Sequence, residues 1–191
     1  MLNYRRNLPH LHTEGIAIFL NWRLSGSVPK CKREDLLKSN PTPGHAFVVE
    51  DRELDRKKSG PKWLGDARVA QVVADKLQYG ATERAFYQLH AWVLMPNHVH
   101  LLLTPFVPLP KITRWLKGAT AREANRILHR TGQPFWKDES WDRWVRDDSE
   151  FSKTKRYIEH NPVSAGLVTA PELFRFSSAW TGGSACPTLS H

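Results

Sequence analysis

Four residues carry the chemistry this sequence could support: His98, His100, Tyr157 and Asn161. The two histidines flank Val99 inside Ala91–Thr104, a run rich in β-formers. Side chains alternate faces along a strand, so His98 and His100 point one way while Val99 points oppositely into a core. That spacing lets two imidazoles share one metal ion on a rigid element. Taken alone, a His-x-His pair is better explained by two half-buried strand histidines with ordinary partners. Tyr157 and Asn161 stand four apart on a predicted helix and project from one face. A phenol with a pKa near ~10 is a poor nucleophile until a nearby cation stabilises its oxyanion. An amide oxygen one turn on could complete a two-histidine metal site. The plain alternatives are an ordinary aromatic at 157 and, at 161, a helix end before Pro162.

Positioning these groups requires strands and helices, and the pattern supplies both. Gly15–Leu24 reads as a first strand, closed by Ser25-Gly26-Ser27-Val28-Pro29. Val69, Val72, Val73 and Leu77 recur at helical spacing between Asp66 and about Tyr79. Phe86–Met95 and Val99–Thr104 read as paired strands with a break at Pro96 and Asn97. A second helix is expected from Pro110 to about Arg130, with Ile112, Trp115, Leu116, Ala119, Ile127 and Leu128 on its apolar face. Asp147-Asp148-Ser149-Glu150 supplies capping and acidic residues for a third helix, expected to end at Asn161-Pro162. Phe135–Arg146 places three of the eight tryptophans among charges. Some of these are core residues, and one or two could stack on bases. Residues 30–62 read as a variable insert, whose charged stretch Glu50–Lys58 is a solvated linker or short helix and not a site. Residues 181–191 read as a flexible tail.

The 191 residues suit one domain, and the balance of 40% hydrophobic and 25% charged residues is that of a globular protein. The formal net charge of +9 suggests a polyanionic partner, with nucleic acid the leading candidate. Arg114, Arg122, Arg126 and Arg130 recur at multiples of four around Gly118, and together with Lys117 form an expected phosphate-contacting face. No apolar run approaches the ~20 residues of a membrane span and no signal-peptide core follows the first residues, so cytoplasmic residence without a membrane partner is the expectation. Cys31 and Cys186 fit no zinc pattern and read as incidental thiols.

Trp92-Val-Leu-Met-Pro-Asn-His-Val-His-Leu-Leu-Leu103, then Glu139-Ser140-x-Asp142, then Tyr157-Ile-Glu-His-Asn-Pro-Val-Ser-Ala-Gly-Leu-Val168, resembles the single-tyrosine HUH transposases, in particular the branch associated with repetitive extragenic palindromes. Tyr4–Pro9 and Gly26–Pro29 are similar to that branch too. The resemblance covers residues 1–29 and 86–180. It implies an α+β fold, a small antiparallel sheet with helices packed on it, as one catalytic domain over 1–180. It implies that His98, His100 and Asn161 hold Mg²⁺ or Mn²⁺ and that Tyr157 is the nucleophile. The implied reaction is transesterification of single-stranded DNA beside a hairpin, through a 5′-phosphotyrosine link. Arg5 and Arg6 become candidates for contacts to a guide tetranucleotide, and the Arg114–Arg130 face for the hairpin backbone. Both monomers and homodimers are compatible with the resemblance.

Several features stand apart. His10-Leu-His12 lacks a strand pattern and reads as a loop near DNA. His160 points about 100° away from Asn161 on an ideal helix. Asn21-Trp22 stands where relatives more often have Thr with an aromatic, a change expected to affect packing or a DNA contact and not the metal. Glu139 and Asp142 read as surface partners of Arg143 and Arg146. Two other functions compete: a domesticated palindrome-binding protein with little or no cleavage, and a metal-dependent hydrolase. The hydrolase would need a base near the metal, for which Glu159 and His160 are the nearest candidates in sequence.

Overall fold

A computed structural model describes residues 15–27, 51, 54 and 60–182. Arg5, Arg6, the His10/His12 pair, most of the 30–62 insert and the tail beyond residue 182 lie outside them.

Four antiparallel strands form one sheet: β1 (Ile18–Arg23), β2 (Tyr87–Leu94), β3 (His98–Pro105) and β4 (Trp141–Trp144), in the order β2-β3-β1-β4. Among the fully described segments, three helices pack on it: α1 (Ala67–Thr82), α2 (Leu109–Ile127) and α3 (Asp148–Ser164). The fold is α+β, as expected from the resemblance. β3 is central, and residues His98 to Thr104 are all buried because both faces of the sheet are covered.

The alternation of β3 sorts its side chains. Val99, Leu101 and Leu103 join Leu20, Trp22 and Leu24 of the first strand region against α1 and α2. Leu102 joins Phe19, Val93 and Ile158 on the opposite face, beneath α3. On β2 the register shifts between Leu89 and Ala91. Such a bulge exchanges the two faces: Leu89 and Trp92 both contribute to the α1/α2 side, while Ala91 and Val93 face α3.

Local signals explain the helix starts. Asp66 caps α1, its carboxylate accepting from Arg68 N at 2.9 Å. Asp147 caps α3 by accepting from Glu150 N at 2.8 Å, with Asp148 and Glu150 in the positive first turn. Two helix ends and one strand differ from expectation. α2 stops at Ile127, before the left-handed His129 (φ 56°), so Arg130 is not on the helix. α3 continues through Pro162 to Ser164, because a proline near the last turn forfeits only one backbone bond. β4 was not evident in the Trp-rich segment: it is four residues long, at an edge, and mixes two charges with two aromatics.

Candidate active site

The face of the sheet under α3 brings His98, His100, Tyr157 and Asn161 together. His98 and His100 are fully buried with their Nε2 atoms 2.9 Å apart. Asn161 is buried, its Nδ2 3.5 Å from His100 Nε2, while its Oδ1 makes no hydrogen bond. The Tyr157 ring lies edge-on to His100 (centroids 5.7 Å apart) and to Phe19 (6.0 Å), and is 39% exposed. Phe19 also stacks on His100, with ring centroids 5.6 Å apart and planes 20° from parallel, so the three rings touch one another.

Asp51 is the residue sequence reasoning missed. It belongs to the charged stretch read as a solvated linker, yet it is 3% exposed, as is Leu54 one helical turn on. Its Oδ1 is 3.2 Å from His100 Nε2 and 3.5 Å from His98 Nε2, and its Oδ2 accepts a short hydrogen bond from the Tyr157 hydroxyl. Nothing in the local sequence distinguished Asp51 from its charged neighbours, because its partners are remote in the chain. Only burial of the neighbouring Leu54 left a trace, a lone apolar residue in a run of charges.

The loop before β3 fixes the tautomer of His98. Asn97 Nδ2 donates to the Leu54 carbonyl at 2.9 Å, which obliges Asn97 Oδ1 to face His98 Nδ1, 2.6 Å away. His98 Nδ1 therefore carries the proton, and its Nε2 lone pair points into the site. Burial, then repulsion from His100, pushes the His98 pKa down to about 3, with Asp51 opposing. Burial would raise the pKa of Asp51. Its close electrostatic contact with His100, then with His98, and the Tyr157 hydroxyl outweigh it and hold the carboxyl well below the usual range. These two effects compete, since a charged imidazole is what favours the carboxylate. At His98 the neutral form prevails, because the ring is wholly buried and its one N–H already has Asn97 as acceptor.

Neutral imidazole and ionised carboxylate are the forms that bind metal. Asp51 Oδ1 and Asn161 Oδ1 are buried without a hydrogen bond, and Asp51 Oδ1 converges with two histidine nitrogens. Buried polar atoms left so are costly unless something binds them. The Asp51–His98–His100 group fits a divalent cation.

The family model for IS200-like transposases matches residues 62–161, just over half of the sequence. The chain belongs to this transposase family. The match spans both histidines, Tyr157 and Asn161, and starts after Asp51. A solved structure of a REP-associated tyrosine transposase bound to a REP hairpin is similar with a TM-score of 0.55 and 17% identity, over 93% of this chain and 82% of that one. That likeness establishes the fold. A crystal structure of a proposed transposase from Deinococcus radiodurans superposes at a TM-score of 0.38, with 19% identity over 76% of this chain and 89% of that one, too distant to bear on the fold. No curated protein matches the sequence.

The other expected residues of this IS200-like transposase fall elsewhere. Arg114, Arg122 and Arg126 are exposed on α2, across the sheet from Tyr157. Lys117 is half-buried, and its Nζ donates to the carbonyls of Asp138 (2.8 Å) and Glu139 (3.3 Å), tying α2 to the segment before β4. Arg130 leaves the expected stripe: beyond the helix end, its guanidinium lies 4.1 Å from the centroid of the Trp63 ring. Arg143 pairs with Glu150 Oε1 at 2.7 Å, rather than with the expected Glu139 or Asp142. Asn21, expected not to touch the metal site, holds His100: its Nδ2 is 3.0 Å from His100 Nδ1. Glu159 accepts from Ser178, and His160 is exposed with its Nδ1 3.2 Å from the Arg156 carbonyl. Among the described residues no helix is long and apolar enough to cross a membrane.

Proposed function

We propose that this IS200-like transposase nicks and rejoins single-stranded hairpin DNA through a 5′-phosphotyrosine intermediate on Tyr157, within one catalytic domain over residues 1–180. The observation that carries the reading is that an exposed tyrosine shares a carboxylate with two buried, facing histidine nitrogens. The similar REP-associated transposase is bound to a hairpin, which supports a hairpin ligand here.

His98 and His100, with Asn161 from α3, would hold Mg²⁺ or Mn²⁺. Imidazole and amide oxygen suit such ions better than thiol-preferring metals. When bound, the ion supplies Lewis-acid stabilisation of charge developing on the phosphate. Tyr157 attacks the phosphorus with its phenolic oxygen, the phosphorus–3′-oxygen bond breaks, and the upstream strand leaves with a 3′-hydroxyl. The phosphodiester is conserved as a phosphotyrosine, so a 3′-hydroxyl can reverse the step without ATP. Phe19 and His100 limit where the phenol can swing. Arg5, Arg6, Arg114, Lys117, Arg122 and Arg126 are proposed to contact DNA.

One observation favours a second reading. Asp51 supplies, beside the histidines, the carboxylate that a water-activating hydrolase needs. The test is to incubate the protein with end-labelled hairpin DNAs from the flanks of its own gene, with Mg²⁺ or Mn²⁺, and to resolve the products on a denaturing gel. Transesterification gives a protein–DNA adduct that Tyr157→Phe abolishes while DNA binding persists. A hydrolase still cleaves in that variant. Binding without cleavage in either protein identifies a palindrome-binding module.

A further inference from the structure

We propose that Asp51 is both a ligand of the divalent ion and the positioning residue for Tyr157, linking metal occupancy to nucleophile placement through one carboxylate. The inference rests on the reading of His98 and His100 as metal ligands.

A carboxylate has two oxygens that can serve different partners, and those of Asp51 are divided in this way. Oδ1 faces both histidine Nε2 atoms, at 3.2 and 3.5 Å, and makes no hydrogen bond. Oδ2 holds the Tyr157 hydroxyl. Asn161, the other candidate third ligand, is neutral, and it turns its amide nitrogen, not its oxygen, to His100 at 3.5 Å. Hard divalent cations favour carboxylate oxygen, so Asp51 is the stronger ligand of the two.

The segment that delivers Asp51 is fastened at the same place. Leu54 is buried on the same helical face as Asp51, three residues on, and its carbonyl accepts from Asn97. The other end of the Asn97 amide orients His98. One amide thus sets both the ligand nitrogen of His98 and the seat of Asp51. Tyr157, by contrast, has edge contacts to two rings and is exposed. Removing Asp51 Oδ2 takes away a hydrogen bond that ties its hydroxyl to the carboxylate beside the histidines.

The test uses the full chain without DNA. Mn²⁺ is titrated by calorimetry into wild type, His98→Ala and Asp51→Asn. The Tyr157 signal is followed by ¹⁹F NMR of 3-fluorotyrosine-labelled protein during Mg²⁺ addition, assigned with Tyr157→Phe among the four tyrosines. Asp51→Asn keeps the shape and removes the charge; Asp51→Ser replaces it if the amide disturbs folding. Wild type is expected to bind Mn²⁺ at least ~10-fold more tightly than Asp51→Asn. The Mg²⁺-dependent shift of Tyr157 is expected in wild type and not in the variant. Equal Mn²⁺ affinity, or an unchanged Tyr157 response in Asp51→Asn, overturns the role of Asp51 alone. Wild type that binds no Mn²⁺ overturns the metal reading itself.

Discussion

Asn21 faces His100 across the β1–β3 pair, with its amide nitrogen 3.0 Å from His100 Nδ1. In that orientation the amide donates, so His100 Nδ1 is an acceptor and its Nε2 carries the proton. The Nε2–H then lies between the His98 lone pair, 2.9 Å away, and Asp51. Metal binding requires that proton to move to Nδ1 and the Asn21 amide to turn and accept it. Outer partners that set a ligand's tautomer are worth about 10–100-fold in metal affinity. Asn21→Ala is therefore expected to weaken Mn²⁺ binding on the order of tenfold, with the fold intact by circular dichroism. Unchanged affinity would show that the amide does not govern His100.

The depressed pKa of His98 makes stability depend on pH. The unfolded imidazole takes up a proton as pH falls below about 6.5, whereas the folded ring resists until about 3. The unfolded state therefore binds more protons across that window, and stability falls as pH falls through it. His90, lowered by burial and by Lys155, acts with the same sign. Asp51, also depressed, adds its loss only at still lower pH, below its ordinary carboxylate range. In EDTA, the urea midpoint should decline from pH 7.5 to 4.5, and His98→Gln should flatten the decline. A variant that keeps the full slope would place the effect in other groups.

How much of this site could be read in advance depends on separation along the chain. Strand alternation put His98 and His100 on one face, and a single helical turn did the same for Tyr157 and Asn161. Spacing alone favoured plainer readings, and the family resemblance singled the four out. Asp51 was not legible, since its seat is created by Leu54 reaching the Asn97 amide, a contact that no local pattern encodes. Asn21 was misjudged for the same reason: strand register decides that it meets His100. Arg130 continues the four-residue stripe in sequence, but His129 adopts a positive φ and turns the chain off the helix.

Salt dependence separates the two kinds of arginine. Each phosphate contact contributes about 0.9 to the slope of log K against log salt on duplex DNA. Arg114→Ala, Arg122→Ala and Arg126→Ala should each lower the slope by about that amount for a hairpin ligand. Arg130→Ala should leave it unchanged and lower thermal stability instead, by about 1 kcal/mol from the lost contact with Trp63. The reverse pattern would return Arg130 to the DNA-facing set.

Gly80 marks where α1 packs against β2 and α2. A Cβ there would sit 2.9 Å from Trp115 Cζ3 and collide with the Tyr87 hydroxyl, which is held by the Leu77 carbonyl at 2.8 Å. Gly80→Ala should destabilise the protein by about 1–3 kcal/mol through overpacking, although Ala is the better helix former. A urea midpoint equal to or above wild type would contradict this packing.

The most direct test of the account is to trap the covalent intermediate on a hairpin DNA carrying a 3′-bridging phosphorothiolate at the scissile position, where the released thiol rejoins poorly. Peptide mass spectrometry then locates the adduct. The account predicts a 5′-phosphodeoxynucleotide on Tyr157, formed only with Mg²⁺ or Mn²⁺ and lost in His98→Ala. Cleaved DNA with an unmodified Tyr157, or an adduct on another residue, would contradict it.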